Sequence, residues 1–173
     1  MNITITKKAA KVLGVQDLVT TQKEIEFLKE SNAIEGVYNQ DSLIQAIKAW
    51  QYLKLQKEMK VDYILEAHRI LMQNENILTK EKGHFRKIQV WIGGREGIAW
   101  QMIEEAMIVV CLNAWLWPQH WKRHHIRFEA IHPFVDGNGR MGRLLLNWER
   151  RKRKLPIKII KASERKAYYE WFE

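Results

Sequence analysis

Cysteine is almost absent from this sequence, because Cys111 is the only one in 173 residues. An internal disulfide is therefore excluded, and thiol-based redox chemistry is disfavoured. The neighbours of Cys111, in the segment MIVVCLNAWLW, are mostly apolar and predict a buried, unreactive thiol rather than a nucleophile.

Long apolar runs are also lacking. The longest one covers residues 106–117 and is interrupted by Asn113, whereas a bilayer-spanning helix needs about 20 apolar residues. The N-terminal segment MNITITKKAAKVLG has no apolar stretch like that of a signal peptide. We therefore predict a soluble, cytoplasmic protein that does not interact with a membrane.

Acidic side chains are the minority charge, with 20 Asp and Glu against 29 Lys and Arg, for a formal net charge of +9. This excess favours anionic partners such as nucleotides, nucleic acid or acidic proteins, without choosing among them. Hydrophobic residues make up 46% of the chain and include eight tryptophans, which indicates a globular protein. The length predicts a single domain over residues 1–173.

Helical periodicity covers most of the chain and predicts an all-α fold. In the segment TQKE, Thr21 can cap a helix while Glu24 closes a capping box, and Gly36 suits the C′ position, so a helix is expected over residues 21–35. Further helical segments are predicted over residues 43–56, 63–72, 101–117, 120–132 and 138–155.

One stretch interrupts the helical pattern, within about residues 86–100. Ile88, Val90 and Ile92 alternate with other residues, and Gly93 and Gly94 follow them. A short apolar segment then returns over residues 98–100. This order predicts a small β-hairpin.

Chemically versatile residues are concentrated in the segment IHPFVDGNGRMGR. Gly137, Asn138 and Gly139 lie between two helical segments, so they predict a loop whose backbone N–H groups and helix start can bind a phosphate. Arg140 and Arg143 share a face at the start of that helix, against the helix dipole. A bound polyanion would favour this placement, and both guanidinium groups could reach phosphate oxygens.

Two further residues of the segment suit nucleotide chemistry. Asp136 is its only carboxylate, too few ligands for a protein metal cage but enough for Mg²⁺, whose other ligands are usually phosphates and waters. His132, at the end of the preceding helix, could accept a proton from an attacking hydroxyl near neutral pH. The segment therefore predicts in-line attack on a metal-bound nucleotide phosphate.

The same segment resembles, at every defined position, the signature H-x-F-x-(D/E)-G-N-G-R-x-x-R of the Fic domain family, here residues 132–143. The similarity extends from the helix near Thr21 to the terminal ASERKAYYEWF. Members of this family are mostly helical bundles that usually transfer AMP from ATP to a hydroxyl side chain of a protein. The resemblance implies that His132 is the general base and that Asp136 binds magnesium. It also implies a set of phosphate ligands: Gly137, Asn138, Gly139, Arg140 and Arg143.

The resemblance also implies two accessory elements. The hairpin would be a flap that aligns a target protein by strand addition, through Ile88, Val90, Ile92 and Gly93. The segment SNAIEG matches the inhibitory pattern (S/T)-x-x-x-E-(G/N) of the class with an N-terminal inhibitory helix. In that class Ser31 and Glu35 would restrain the enzyme, with Glu35 paired to Arg143.

Three functions are compatible with these patterns. The leading hypothesis is transfer of AMP to a Ser, Thr or Tyr hydroxyl of a target, or of the chain itself, with autoinhibition by Glu35. In the second hypothesis, Glu35 positions a water molecule for the removal of AMP. Metal identity or the state of a homo-oligomer would then set the balance between AMP transfer and AMP removal. A third is a non-enzymatic module that binds nucleic acid or an acidic partner through the basic residues 150–154, and the intact motif argues against it.

Overall fold

The computed structural model describes residues 20–172, and within them the fold is predominantly helical. The described elements include one two-stranded sheet, β1 (Trp91–Ile92) and β2 (Arg95–Glu96). The α-helices are α1 (Gln22–Ile34), α2 (Gln40–Leu55), α3 (Val61–Leu71), α4 (Ile103–Leu116), α5 (Trp121–Ile131), α6 (Asn138–Lys152) and α7 (Arg165–Tyr169). The predicted all-α class with a small hairpin is confirmed.

Helix α1 begins with the predicted capping box. Thr21 Oγ1 accepts the Glu24 N–H at 3.2 Å, and Glu24 Oε2 accepts the Thr21 N–H at 2.6 Å. The Glu24 carboxylate is buried and also accepts from Trp50 Nε1 at 2.7 Å and pairs with Lys54 at 3.1 Å, both on α2. This charged contact fixes the start of α1 against α2 and so sets where the other end of α1 lies.

Helix α6 lies at the centre of the fold. Its residues are buried on nearly every side, including Leu144, Leu145 and Trp148 in the main core. Phe134, in the loop before α6, is fully buried in the same core. The start of α6 is consequently held in place by the whole bundle.

The hairpin differs from its predicted course. Gly93 and Gly94 form the two-residue turn with φ of 55° and 81°, and Ile92 pairs with Arg95 rather than with the apolar return segment. A two-residue turn sets the register of its hairpin, so the return strand begins immediately after it. The prediction that residues 98–100 form the return strand is therefore wrong: Trp100 begins a 3₁₀ turn, and Ile98 packs against the core.

Helix α4 carries both the cysteine and an exposed apolar face. Cys111 is buried, and burial raises the pKa of its thiol to about 12, as expected for an unreactive side chain. Ile108, Leu112 and Trp115 are exposed on the outer side of the helix. No helix within residues 20–172 is long and apolar enough to cross a membrane.

Candidate active site

The motif loop connects α5 to α6 and is held by the side chain of Asn138. Asn138 Oδ1 accepts the Phe134 N–H and Asn138 Nδ2 donates to the Phe134 carbonyl, both at 2.9 Å. These two bonds close the loop on itself and occupy the Asn138 amide. A role of Asn138 toward phosphate would therefore be carried by its backbone N–H in the first turn of α6.

His132 ends α5 in a left-handed backbone conformation, with φ 50° and ψ 62°. Its Nδ1 lies 3.3 Å from the Glu129 carbonyl oxygen. Since a carbonyl oxygen only accepts, Nδ1 carries the proton in this contact and the lone pair lies on Nε2. Burial holds the pKa of His132 below its ordinary value. The ring is thus suited to accept a proton at neutral pH.

The start of α6 provides the geometry of an anion site. Gly137 precedes the helix with φ 78°, and a Cβ at this position would lie 2.6 Å from Met72 Sδ, so a larger residue does not fit. The N–H groups of the first helical turn have no partner within the helix and lie at the positive end of its dipole. They can bind a phosphate or a carboxylate.

Asp136 lies exposed beside this helix start. Its Oδ1 accepts the Gly137 N–H at 2.6 Å, while Oδ2 is 3.8 Å from Arg140. Within residues 20–172, no group of three or more His, Cys, Asp and Glu side chains could hold a metal ion. A single accessible carboxylate beside a phosphate site fits Mg²⁺, which takes its remaining ligands from phosphates and water.

Arg143 joins α6 to the end of α1. The guanidinium is buried and donates from Nε to Ser31 Oγ at 2.9 Å, and from Nη2 to the Ser31 carbonyl at 2.8 Å and to Glu35 Oε1 at 2.7 Å. Tyr168 OH, from α7, lies 3.4 Å from Nη1. The predicted pair between Glu35 and Arg143 is present, and Ser31 accepts two further hydrogen bonds from Arg143.

The Glu35 carboxylate also lies over the first turn of α6. A Cβ built on Gly139 would collide with Glu35 Oε1 and lie 3.0 Å from Arg143 Nη1. Two positions of the motif helix therefore contact the same carboxylate. Glu35 occupies part of the space above the N–H groups that a phosphate would use.

Arg140 is held separately from Arg143. It forms a short ion pair with Glu75, which also accepts from Ser42 Oγ at 2.8 Å, and its Nη2 lies 3.4 Å from Met72 Sδ. Burial alone would raise the pKa of Glu75, but the bond from Arg140 leads the opposing effects and the pKa is lowered. Both motif arginines thus have carboxylate partners, Glu75 for Arg140 and Glu35 for Arg143.

His68 on α3 supports the motif loop, a role that no sequence pattern predicted. Its ring is fully buried and stacks on Phe134, with 3.7 Å between centroids and 3° between planes. Gly83 N–H donates to Nδ1 at 2.9 Å, so Nε2 carries the proton and donates to the Asp136 carbonyl at 3.0 Å. A neutral histidine therefore fixes the backbone that carries Asp136.

Acid titration of His68 is expected to destabilise the fold. Burial lowers the pKa of His68 to about 4, so its contribution to stability is complete above an unfolded-state pKa near 6.5 and is lost as the pH falls through about 4. At roughly 1.4 kcal/mol per pKa unit, the full loss is about 3 kcal/mol. Urea unfolding of the wild type and of His68→Gln across this range measures it. The wild type should lose stability relative to the non-titrating variant, and parallel pH profiles would contradict the expectation.

The hairpin lies next to the motif loop, as the flap prediction requires. The Arg86 N–H donates to the Pro133 carbonyl at 2.9 Å, which joins the segment before β1 to the residue after His132. Ile88 and Trp91 are exposed, and Val90 and Ile92 are half-buried. Their contact with a target stays a prediction.

The basic residues 150–154, on which a nucleic-acid-binding module would depend, lie at the end of α6. Arg150 lies over the Trp121 ring, 4.5 Å from its centroid, and Lys152 lies 5.1 Å from the Trp148 centroid. Two cations of the run therefore contact tryptophans of this chain, and basic side chains are favoured at a helix C-terminus.

Comparison with known proteins finds the same family. The family model of the Fic/DOC family matches residues 58–149. The protein adenylyltransferase Fic of Drosophila erecta is 32% identical over 155 residues, covering 84% of this chain and 30% of that protein. The Drosophila melanogaster protein of the same name is 28% identical, covering 93% and 35%. The chain thus spans about a third of the length of these relatives.

Solved structures share the fold. Fic-1 (residues 134–508) from C. elegans superposes with a TM-score of 0.73 at 22% identity, covering 98% of this chain and 58% of that one. A Fic domain containing signaling protein from Bacteroides thetaiotaomicron gives a TM-score of 0.71 at 18% identity, covering 84% and 69%. The sequence match, the shared fold and the loop geometry agree, and the chain belongs to the Fic/DOC family.

Proposed function

We propose that this chain transfers AMP from ATP to a hydroxyl side chain of a protein. The observation that carries the proposal is the position of a neutral histidine and a helix N-terminus at the two ends of one short loop, where His132 ends α5 and Asn138 begins α6. The relatives named protein adenylyltransferase Fic support the same reaction. A proton acceptor and a phosphate site at this spacing are what nucleotidyl transfer needs.

His132 acts as the general base. The hydroxyl oxygen of the target attacks the α-phosphorus of ATP and forms a new P–O bond, while the bond from that phosphorus to the oxygen bridging to the β-phosphate breaks. The hydroxyl proton passes to Nε2 of His132, and diphosphate leaves. The contact of Nδ1 with the Glu129 carbonyl keeps Nε2 unprotonated before the reaction.

The start of α6 binds the phosphates. The first-turn N–H groups of Asn138, Gly139 and Arg140 stabilise the negative charge, and Arg143 adds a guanidinium once Glu35 withdraws. Asp136 would hold Mg²⁺, which neutralises phosphate charge when bound. These groups orient the nucleotide so that its α-phosphorus faces the histidine.

Glu35 restrains the reaction. Its carboxylate contacts Arg143 at 2.7 Å and lies over Gly139, so it competes with a phosphate for the same cation and the same helix start. In addition, a carboxylate and a phosphate at this position would repel each other. The N-terminal helix α1 is accordingly an inhibitory helix, and ATP bound beside it is held in an unproductive geometry.

The test uses the Glu35→Gly variant with ATP labelled either at the α-phosphate or at the γ-phosphate. Label from the α-position should appear on the variant itself or on proteins of a cell lysate, and label from the γ-position should not. The Glu35→Gly/His132→Ala double variant should stay unlabelled. Labelling from the γ-phosphate would instead indicate phosphoryl transfer, and no labelling from either position, with ATP binding retained, would contradict the proposal.

Removal of AMP from a modified protein is the second candidate. The Glu35 side chain is 32% exposed, so a water molecule can reach its carboxylate while Oε1 contacts Arg143. This partial exposure favours AMP removal as a candidate. In this reaction Glu35 orients the attacking water, so the wild type would be active and Glu35→Gly inactive. Loss of label from an AMP-modified protein, followed for both proteins, separates the two reactions.

A further inference from the structure

We propose that Arg86 is a positioning residue, which holds His132 in its reactive orientation and joins it to the base of the hairpin. The inference rests on the proposed function, in which His132 is the base. It extends that function to a side chain outside the motif and outside the inhibitory helix.

Arg86 is buried in an unusual way. Arg86 is 1% exposed. Among the described residues, its guanidinium donates hydrogen bonds to backbone carbonyls rather than to a carboxylate. Nε donates to the His132 carbonyl at 2.8 Å, Nη1 to Ile88 at 2.6 Å, and Nη2 to Ile98 at 2.9 Å and to Ile131 at 3.3 Å. Burial of an arginine without a counter-charge is unfavourable, so a compensating interaction is needed.

The end of α5 supplies that compensation. The last carbonyls of a helix have no partner within it and form the negative end of its dipole. The last turn of α5 contains no basic residue of its own. Arg86 therefore supplies, from a distant part of the chain, the cation that caps the carbonyls of Ile131 and His132.

The capped position is also the one with the unfavourable backbone. His132 has φ 50°, a region that residues other than glycine rarely adopt. Arg86 holds the backbone on both sides of His132, since Nη2 bonds to the Ile131 carbonyl before it, while Nε bonds to the His132 carbonyl and the Arg86 N–H bonds to the Pro133 carbonyl at 2.9 Å. Rotation of the His132 backbone, which would turn its ring, requires that these bonds break.

The same guanidinium holds both legs of the hairpin. Ile88 precedes β1 and Ile98 follows β2, and Arg86 bonds to the carbonyls of both. A target strand aligned on the hairpin would consequently be placed relative to His132 through one side chain. An error of about 1 Å in such a placement can lower a rate by about 10²-fold.

The charge of Arg86 also acts on the His132 ring. Burial has the largest effect on the pKa of His132 and lowers it; Arg86 lowers it further, whereas the Glu129 carbonyl bond, Glu35 and Asp136 raise it. Removal of the Arg86 charge should therefore raise the pKa of His132. Such a shift would report that the guanidinium charge acts on the ring, while the change in kcat reports whether Arg86 also orients it.

The test compares Arg86→Lys and Arg86→Gln in the Glu35→Gly background. Lysine keeps the charge but cannot bond to carbonyls of three segments at once, so kcat should fall by at least about tenfold with KM for ATP unchanged. Glutamine should lower kcat similarly and also raise the pKa of His132, followed by NMR of its ring. Arg127→Gln removes an exposed arginine from α5 and is the matched control, expected to change neither quantity.

Each outcome decides the inference. If the variants unfold at lower temperature but the folded protein keeps its kcat, Arg86 has a purely structural role and the inference is wrong. If the Glu35→Gly parent transfers no AMP, the proposed function fails, and the NMR comparison then decides alone. An unchanged His132 titration in Arg86→Gln would overturn the inference even then.

Discussion

Replacing Glu35 by glycine is expected to raise the rate of AMP transfer by about 10- to 100-fold. The variant loses a charge-assisted contact of 2.7 Å with Arg143 and clears the space over Gly139. Such a contact contributes about 1.5–3 kcal/mol, and each 1.4 kcal/mol corresponds to about tenfold. Initial rates of incorporation from α-labelled ATP at saturating nucleotide measure the change.

The control for this variant is Glu26→Gln. Glu26 is an exposed glutamate of the same helix and forms no ion pair with another residue within 20–172. Its loss therefore changes the net charge without changing the site. Its transfer rate should equal that of the wild type. Equal rates for the wild type and Glu35→Gly would show that Glu35 does not restrain the reaction, whatever its contact with Arg143.

Replacing His132 by alanine in the Glu35→Gly background is expected to lower transfer by about 10²- to 10⁴-fold, the usual contribution of a general base. The loss should fall on kcat, because no contact of the His132 ring with the phosphate site is needed for ATP to bind. Calorimetric titration with ATP should give the same affinity for both proteins. Transfer rates as a function of pH should also show a limb, from protonation of His132, only in the parent.

His120→Ala is the matched control for the histidine. His120 is exposed and lies in the turn before α5, at the opposite end of the helix from His132. Its replacement should leave both kcat and ATP affinity unchanged. A fully active His132→Ala variant would exclude His132 as the base and would require another proton acceptor near the start of α6.

The parts of the site that the sequence predicted are those with local signals. The capping box at Thr21 and Glu24 depends on residues close in the chain, and the motif loop is bounded by helical segments whose periodicity is clear. Glu35 and Arg143 lie far apart in sequence, and their pairing followed from the family resemblance alone. Its observed distance of 2.7 Å confirms the contact, whereas its inhibitory role stays a prediction.

Three supporting residues were not predicted, for a common reason. His68 and Arg86 bond to backbone groups of distant segments, and Glu75 pairs with Arg140 across 65 positions. Every residue has a backbone carbonyl, so the sequence does not show which carbonyl will accept a bond from a distant side chain. Single polar residues within amphipathic segments are usually solvated. The hairpin register, by contrast, could have been predicted from the sequence, because the adjacent Gly93 and Gly94 favour a two-residue turn, after which the return strand begins immediately.

The contacts of Arg143 also bear on the order in which the protein folds. They join positions 108 and 112 residues apart, and contacts of that sequence separation form late because a long loop must close first. The guanidinium that Glu35 binds lies on α6, the helix whose start completes the phosphate site. If the proposed function holds, docking of α6 against α1 brings Glu35 to Arg143 and to the start of α6 in the same step, so the proposed restraint and the proposed phosphate site would form together.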